Sequence, residues 1–523
     1  MREPVDRFSR RLPWAALALV LLAIAAIRVR VLDVPLERDE GEYAYIGSLL
    51  LHGVAPWAEA WNMKLPGVYA VYAILIGVGG ASVSAIHSGL LVANAWNALA
   101  CALLARRLLG DGAAVVAGSA YAAMSVSTSV LGLWSHAEPF ALGFALGGLL
   151  LALEARSAAA LAGAGLLLGT AVIVKQNAAP LALFAAAWIC WLAPAQSLRR
   201  LAPFAAGALL PSVVVALALL HAGVFERFWF WTVTYAGSYG SQRSLAEGVS
   251  ELAARVPALL RAQGAWWLAA AVGLAAPLWS AEVRARAPFL LGLLAAGCVA
   301  ASFGFYFRPQ YFVLLLPAIA LLAGAAAHAL APRTPRARAL ACTGLALAGL
   351  VTPIGVEARL LLRAGPDEVS RAVYGANPFP EARVLAREIM ARTAADARIA
   401  VIGSEPELYF YSGRRAATGY VYTYPLMEPQ PHALAMQEEM VAELREARPE
   451  MLVFVNVPTS WLTRRESPRA LFDWFDAVSA TDYETVGIAD ILPTATRYVF
   501  GDAARSYAPR SPYWVSLLRR RPS

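Results

Sequence analysis

Charge is what this sequence has least of. Only 15% of its 523 residues are Asp, Glu, Lys or Arg, while 59% are hydrophobic, against about 25% charged and 45–50% apolar in soluble domains. So few charges could not cover a soluble globule of this length, and so apolar a chain is not disordered. Cysteine is scarce as well. The four present, Cys101, Cys190, Cys298 and Cys342, all fall in apolar stretches. That excludes a disulfide scaffold and suits small buried hydrophobes. Lysine is the third shortage: of 44 basic residues only Lys64 and Lys175 are lysine. The composition is that of a polytopic membrane protein.

About 20 apolar residues are needed to cross 30 Å of hydrocarbon. Eleven stretches qualify, near 13–31, 83–105, 113–133, 137–153, 158–174, 178–195, 201–221, 264–280, 288–304, 311–331 and 339–356. The first follows arginines and ends in Arg28-Val29-Arg30 rather than a small-residue cleavage site, so it reads as an uncleaved signal anchor. The apolar run 66–80 is short and follows a proline, and it reads as an interfacial helix within a first loop spanning 32–82.

Short-loop arginines set orientation. With the N-terminus inside, the inner segments hold 14 arginines (2, 7, 10, 11, 106, 107, 156, 199, 200, 284, 286, 333, 336 and 338) and five acids (Glu3, Asp6, Asp111, Glu154 and Glu282). The outer face up to Arg359 is neutral. The overall charge of +8 is therefore a topology signal and not a nucleic-acid footprint. Residues 1–358 form a membrane domain of about eleven helices, and 359–523 a soluble extracytoplasmic domain. The latter is about 24% charged from residue 360 on, the soluble norm. It alternates short apolar runs (398–403, 451–457, 483–488, 496–500) with helical stretches (381–395, 432–447, 468–478), the pattern of a small α/β domain.

Polar groups beside a membrane carry the functional information. Arg38-Asp39-Glu40-Gly41-Glu42-Tyr43 follows the first span. In a helix, Asp39, Glu42 and Tyr43 share one face. A carboxylate there could act as a general base, or the run could be an acid-favoured helix start. Both lysines lie at the external ends of membrane segments, in Asn62-Met63-Lys64-Leu65-Pro66-Gly67 and Val174-Lys175-Gln176-Asn177. A compact ammonium suits phosphate contact, or it snorkels. The brief loop Trp134-Ser135-His136-Ala137-Glu138-Pro139 offers an acid at a span start, with His136 read as a polar interface residue. Arg308, within Phe305–Tyr311, fits either a phosphate site or the aromatic belt. The rings opening the external loop 222–263 fit that belt. In the tail, Ser404-Glu405-Pro406-Glu407 and Tyr420-Val421-Tyr422-Thr423-Tyr424 read as loop chemistry without a role.

Arg38-Asp39-Glu40-Gly41-Glu42-Tyr43, followed by Lys64-Leu65-Pro66-Gly67, Glu138 and Lys175-Gln176, resembles the signature of family 39-type glycosyltransferases. These are GT-C-fold enzymes dependent on polyprenyl-phosphate sugars, and they include protein mannosyltransferases and aminoarabinose transferases. The resemblance spans about residues 13–330. It implies an inverting transfer at the cell (inner) membrane from a polyprenyl-phosphate-linked donor to a lipid, glycan or protein hydroxyl, among membrane lipids. Asp39 would be the base and Glu138 would orient the acceptor. Lys64, Lys175 and Arg308 would hold the donor phosphate, supported by Arg38, Glu40, Glu42 and Tyr43. Some relatives place a metal-binding carboxylate just before the loop lysine, where this chain has Met63, so no cofactor and no metal site of that type is expected. The rival class is a transporter or flippase of a lipid-linked or anionic substrate. Transporters bind at the midplane between repeats, whereas here the polar groups gather at helix ends and no repeat is evident.

Overall fold

The computed structural model describes residues 7–332 and 334–522. Arg2, Glu3, Asp6 and Arg333 of the charge pattern lie outside them. The first apolar stretch forms helix α1 (Arg7–Arg30), and its two terminal arginines each clasp carbonyls. Arg28 donates to the carbonyls of Gly132 (2.6 Å) and Ser125 (2.8 Å). Arg30 donates to those of Leu360, Leu361 and Ala364 at 2.7–2.9 Å, pinning the exit of the last membrane helix.

The membrane part continues through α2 (Arg38–Leu51), α3 (Gly67–Gly79), α4 (Val83–Leu109), α5 (Asp111–Ser125), α6 (Ala137–Ala152), α7 (Ala158–Val174), α8 (Ala179–Leu192) and α9 (Ser197–His221). Helices Leu245–Ala275, Ala281–Ala301, Leu316–Ala329 and Pro335–Ala348 complete it. Among the described residues, five helical stretches are long and apolar enough to cross a membrane, and five more are shorter and apolar. Each of the eleven expected spans has its helix. The eighth is longer than its apolar half suggests. It starts at Ser244, whose hydroxyl and Glu247 form a capping box, and with the helical turns of Phe225–Trp229, Phe230–Tyr235 and Ala236–Gly240 before it, most of the expected loop 222–263 is helical. Helices α7 and α9 cross at near backbone contact: a Cβ at Gly165 would stand 1.9 Å from the Phe204 carbonyl oxygen, and one at Gly207 2.0 Å from that of Ala162. Small residues permit this approach.

The C-terminal domain carries a six-stranded sheet in the order β2-β1-β3-β6-β4-β5. The strands are β1 (Arg398–Ile402), β2 (Arg415–Ala416), β3 (Met451–Asn456), β4 (Tyr483–Ile491), β5 (Thr496–Phe500) and β6 (Trp514–Arg520). β1 pairs parallel with β2 and β3, and the remaining pairs are antiparallel. Helices Phe379–Arg392, Ala433–Ala447 and Ala470–Thr481 accompany the sheet, as the alternating pattern predicts. The carboxyl end of β1 leads into the segment Ser404–Glu407 that meets α2, and the end of β3 leads to Ser460, which donates to Glu405 (2.6 Å). In open α/β sheets that end is where binding loops gather.

Candidate functional site

Helix α2 is a buried element rather than a solvated interfacial turn. Its start is fixed by a capping box in which Glu37 accepts from the Glu40 amide (2.9 Å) and Glu40 from the Glu37 amide (3.1 Å). Gly41 lets the C-terminal domain approach, since a Cβ there would lie 2.5 Å from the backbone nitrogen of Glu407. Gly67, at the head of α3, plays the same part toward the end of α7, with 2.6 Å to the Ile173 carbonyl. The two glycines of the motif are thus contact points that seat α2 and α3.

This seating brings Asp39, Glu42 and Lys64 together. The Lys64 ammonium donates to Asp39 Oδ1 (2.7 Å) and Glu42 Oε2 (2.6 Å), and it lies 4.8 Å from the Tyr43 ring centroid. Glu42 also accepts from Asn62 (2.8 Å) and the Tyr69 hydroxyl (2.7 Å). Burial raises the Asp39 pKa, but Lys64, then His136 and Lys175, outweigh it and hold the carboxyl well below the usual carboxylate range. Glu42 is raised, chiefly by burial. Lys64 lies above the ordinary lysine value, because Asp39 and Glu42 outweigh its burial. Asp39 Oδ2 accepts no hydrogen bond among the described residues.

A second pair stands alongside. Lys175 caps the end of α7 and lies 3.1 Å from Glu138 Oε1, a fully buried carboxylate on α6 that accepts no hydrogen bond among the described residues. Burial lowers the Lys175 pKa, but Glu138, with Tyr311 and Asp39, outweighs it and raises the value to about 12. Gln176 donates to the Met63 carbonyl (3.1 Å), tying the two lysine-bearing segments together. Arg308 faces a tyrosine as both lysines do, with the Tyr306 ring centroid at 5.3 Å, but unlike them it has no carboxylate partner among the described residues. The chain reaches it through Gly304, Phe305 and Phe307 at φ of +60°, +57° and +44°. Bulky residues enter that region only when the surroundings force them to, and such strain gathers at functional sites.

The remaining expected residues take other places. Arg38 turns into the C-terminal domain, where it donates to the Ser404 carbonyl (2.5 Å), Glu405 (2.8 Å), Asn377 (3.0 Å) and the Tyr424 hydroxyl (2.8 Å). It is a docking residue. Glu40 is fully buried and accepts from the Ser135 amide and His87 Nε2 (2.8 Å). The other ring nitrogen of His87, Nδ1, faces the Leu32 carbonyl (2.8 Å). His136 is no interface residue: it is 3% exposed, neither ring nitrogen has a hydrogen-bond partner among the described residues, and Glu37 stands 3.7 Å away. Glu37, Asp39 and His136 are the described residues that could hold a cation, with their ligand atoms within 4.8 Å of one another. Met63, beside the lysine, offers only a thioether, unsuited to a hard divalent ion.

The tail segment read as plain loop supplies the residue the sequence reasoning missed. The Tyr422 hydroxyl lies 3.5 Å from Asp39 Oδ1, and its ring centroid 5.1 Å from Lys64 Nζ. Three tyrosines in alternation after a strand were the available signal.

No protein-family model matches the sequence, and no curated protein matches it. Among solved structures, ArnT from Cupriavidus metallidurans bound to undecaprenyl phosphate is similar at a TM-score of 0.59 and 17% identity, covering 96% of this chain and 97% of that one. The apo state of the same protein gives 0.57 and 18%, with the same coverage. The fold of this chain is therefore that of ArnT, the GT-C architecture of a polytopic membrane protein with a C-terminal domain.

Proposed function

We propose that this chain is a membrane glycosyltransferase that moves a sugar from a polyprenyl-phosphate donor to an acceptor hydroxyl, with inversion, at the extracytoplasmic face of the cell membrane. The observation that carries the reading is Asp39, a carboxylate held ionised by Lys64 with one oxygen unbonded, set beside a buried Glu138–Lys175 pair and a carboxylate-free Arg308. A structure of the same fold holding undecaprenyl phosphate supports the donor class.

In this mechanism the acceptor hydroxyl gives its proton to Asp39 while its oxygen attacks the anomeric carbon. The carbon–oxygen bond to phosphate breaks, and the polyprenyl phosphate leaves with that electron pair. Glu138 orients the acceptor. The three cations differ in availability: Lys64 already serves two carboxylates and Lys175 one, whereas Arg308 serves none. Arg308 is therefore the first seat of the donor phosphate, with the lysines strengthening the charge stabilisation as the bond breaks. Charge neutralisation is assigned to these side chains and not to a metal.

The test incubates purified full-length protein with a panel of polyprenyl-phosphate sugars and candidate acceptors, beside Asp39→Asn and Arg308→Gln. One donor should be consumed. General-base loss should cut transfer on the order of 10²–10⁴-fold in Asp39→Asn, and Arg308→Gln should raise the donor KM. Consumption of no donor, or full transfer by Asp39→Asn, defeats the proposal, and translocation without covalent product would mark a transporter.

A further inference from the structure

The segment joining β2 to the helix Ala433–Ala447 crosses α2 as a strap and is pinned on both sides of Tyr422. Upstream, the Ala416 amide donates to the Tyr45 hydroxyl (2.8 Å) and the Trp61 amide donates to the Gly419 carbonyl (3.2 Å). Gly419 lies flat on the Trp61 indole, where a Cβ would come within 2.0 Å of the ring. Downstream, the buried Thr423 amide donates to Ser404 Oγ (3.0 Å). The Tyr424 hydroxyl donates to the Thr459 carbonyl (2.5 Å) and accepts from Arg38 (2.8 Å). Between these anchors, Tyr422 makes no hydrogen bond within its own domain among the described residues. Its one hydroxyl partner is Asp39 Oδ1 on α2, at 3.5 Å.

A phenol held so firmly by its neighbours, yet bonded only across the domain boundary, is placed for a ligand site rather than for its own core. Burial, then Asp39, raises its pKa well above the ordinary tyrosine value, so the hydroxyl stays a donor. With Lys64 and Tyr422 both directed at Oδ1, the open lone pairs of Asp39 are those of Oδ2. Two donors on one oxygen decide which oxygen the acceptor meets, and a fixed aromatic face beside it limits how the acceptor can lie.

We propose that Tyr422 is a positioning residue for the acceptor. Together with Lys64 it fixes Asp39 so that Oδ2 takes the acceptor proton, and its ring forms the acceptor-side wall of the site. The C-terminal domain thereby completes the active site. This rests on the glycosyltransferase reading above.

The experiment measures steady-state transfer by full-length wild type, Tyr422→Phe and Tyr422→Leu, with donor and acceptor varied separately. A hydrogen bond to a charged group is commonly worth at least tenfold, and one as long as 3.5 Å is worth less. Tyr422→Phe should lower kcat/KM for the acceptor roughly three- to tenfold, with the donor KM unchanged and the thermal unfolding midpoint retained. Tyr422→Leu, which also loses the aromatic wall, should lose about tenfold more. Wild-type kinetics in Tyr422→Phe would overturn the inference while leaving the proposed function standing. A lowered unfolding midpoint with donor and acceptor KM raised alike would overturn it too, since that is the mark of a merely structural residue. Failure of the wild type to consume any donor overturns both proposals.

Discussion

Replacing Lys64 by methionine tests the electrostatics of the site most directly. Methionine keeps an unbranched stem of similar length and removes only the charge. The ammonium is held 2.7 Å from Asp39 and 2.6 Å from Glu42. Without it, Glu42 keeps its bonds from Asn62 and Tyr69, and Asp39 keeps only Tyr422 at 3.5 Å. Removing one partner of a buried ion pair costs about 3–5 kcal/mol while the other stays charged. A carboxyl group can relieve that cost by taking a proton. At 1.36 kcal/mol per pKa unit, the lost pairing corresponds to an upward shift of roughly two to four units for Asp39. The sign follows from the ionised form: Lys64 favours it, so the wild-type pKa is depressed, and removing Lys64 raises it. Activity that needs ionised Asp39 is lost as pH falls through that pKa. Wild-type transfer should therefore hold down to below about pH 4, the ordinary aspartate value, whereas the acid limb of Lys64→Met should move toward neutrality and its rate should recover as pH rises. The assay is initial transfer rate from pH 4 to 9 at saturating donor. An acid limb unmoved in Lys64→Met, with the whole profile merely scaled down, would refute the assigned role of the pair.

Two further outcomes follow from the same geometry. In Gly67→Ala the new Cβ would meet the Ile173 carbonyl at 2.6 Å, where ordinary contact begins near 3.4 Å, so α3 and the end of α7 must part by about 0.8 Å. Overpacking of this kind costs about 1–3 kcal/mol, and a displacement near 1 Å can cost on the order of 10²-fold in rate. A monodisperse, folded variant with transfer at least tenfold down is expected, and wild-type transfer would contradict the packing argument. If side chains alone neutralise the departing phosphate, exhaustive chelation leaves the transfer rate unchanged. Loss of activity restored by Mn²⁺ or Mg²⁺ would instead assign Glu37, Asp39 and His136 to a metal.

The membrane helices are legible in sequence because length and apolarity are nearly sufficient to specify a spanning helix, and the motif residues 39, 42 and 64 are legible because residue type and sidedness converge. What escapes is long range. Arg38 looks like part of an acidic motif, yet its carboxylate partner Glu405 is 367 residues away. Tyr422 is 383 residues from Asp39, and no local pattern encodes that meeting. β6 (Trp514–Arg520) is not among the short apolar runs named from sequence, yet it forms a ladder with both β3 and β4. His136 was misjudged for the same reason, since a histidine in a short loop is exposed by default until other elements close over it. Glycines carried more information than their local readings revealed, because Gly41 and Gly67 report close approach by segments remote in the chain.

The charge arrangement also suggests how the two halves of the proposed reaction are coupled. Glu37, Asp39, Glu40, Glu42 and Glu138 gather around the site. Lys64 serves Asp39 and Glu42, His87 faces Glu40, Lys175 faces Glu138, and Arg38 is engaged by Glu405. Among the described residues Glu37 faces no lysine or arginine, and its pKa is pushed well above the carboxylate range by burial and then by Asp39 and Glu40. Before substrate enters, then, the lysines are already committed, and among the cations of the proposed site Arg308 is the one without a carboxylate partner in the described residues to meet the negative charge that grows on a departing phosphate. The acceptor proton changes that balance. Once Asp39 is protonated, Lys64 loses one of its two anionic partners at the moment the carbon–oxygen bond to phosphate is breaking. Its charge is then available to the leaving group when it is most needed. Stabilisation that is stronger in the transition state than in the ground state is what accelerates a step. A lysine shared between the base and the leaving group delivers it without moving a helix, which is a physical reason for a chain built on arginine to place lysine there.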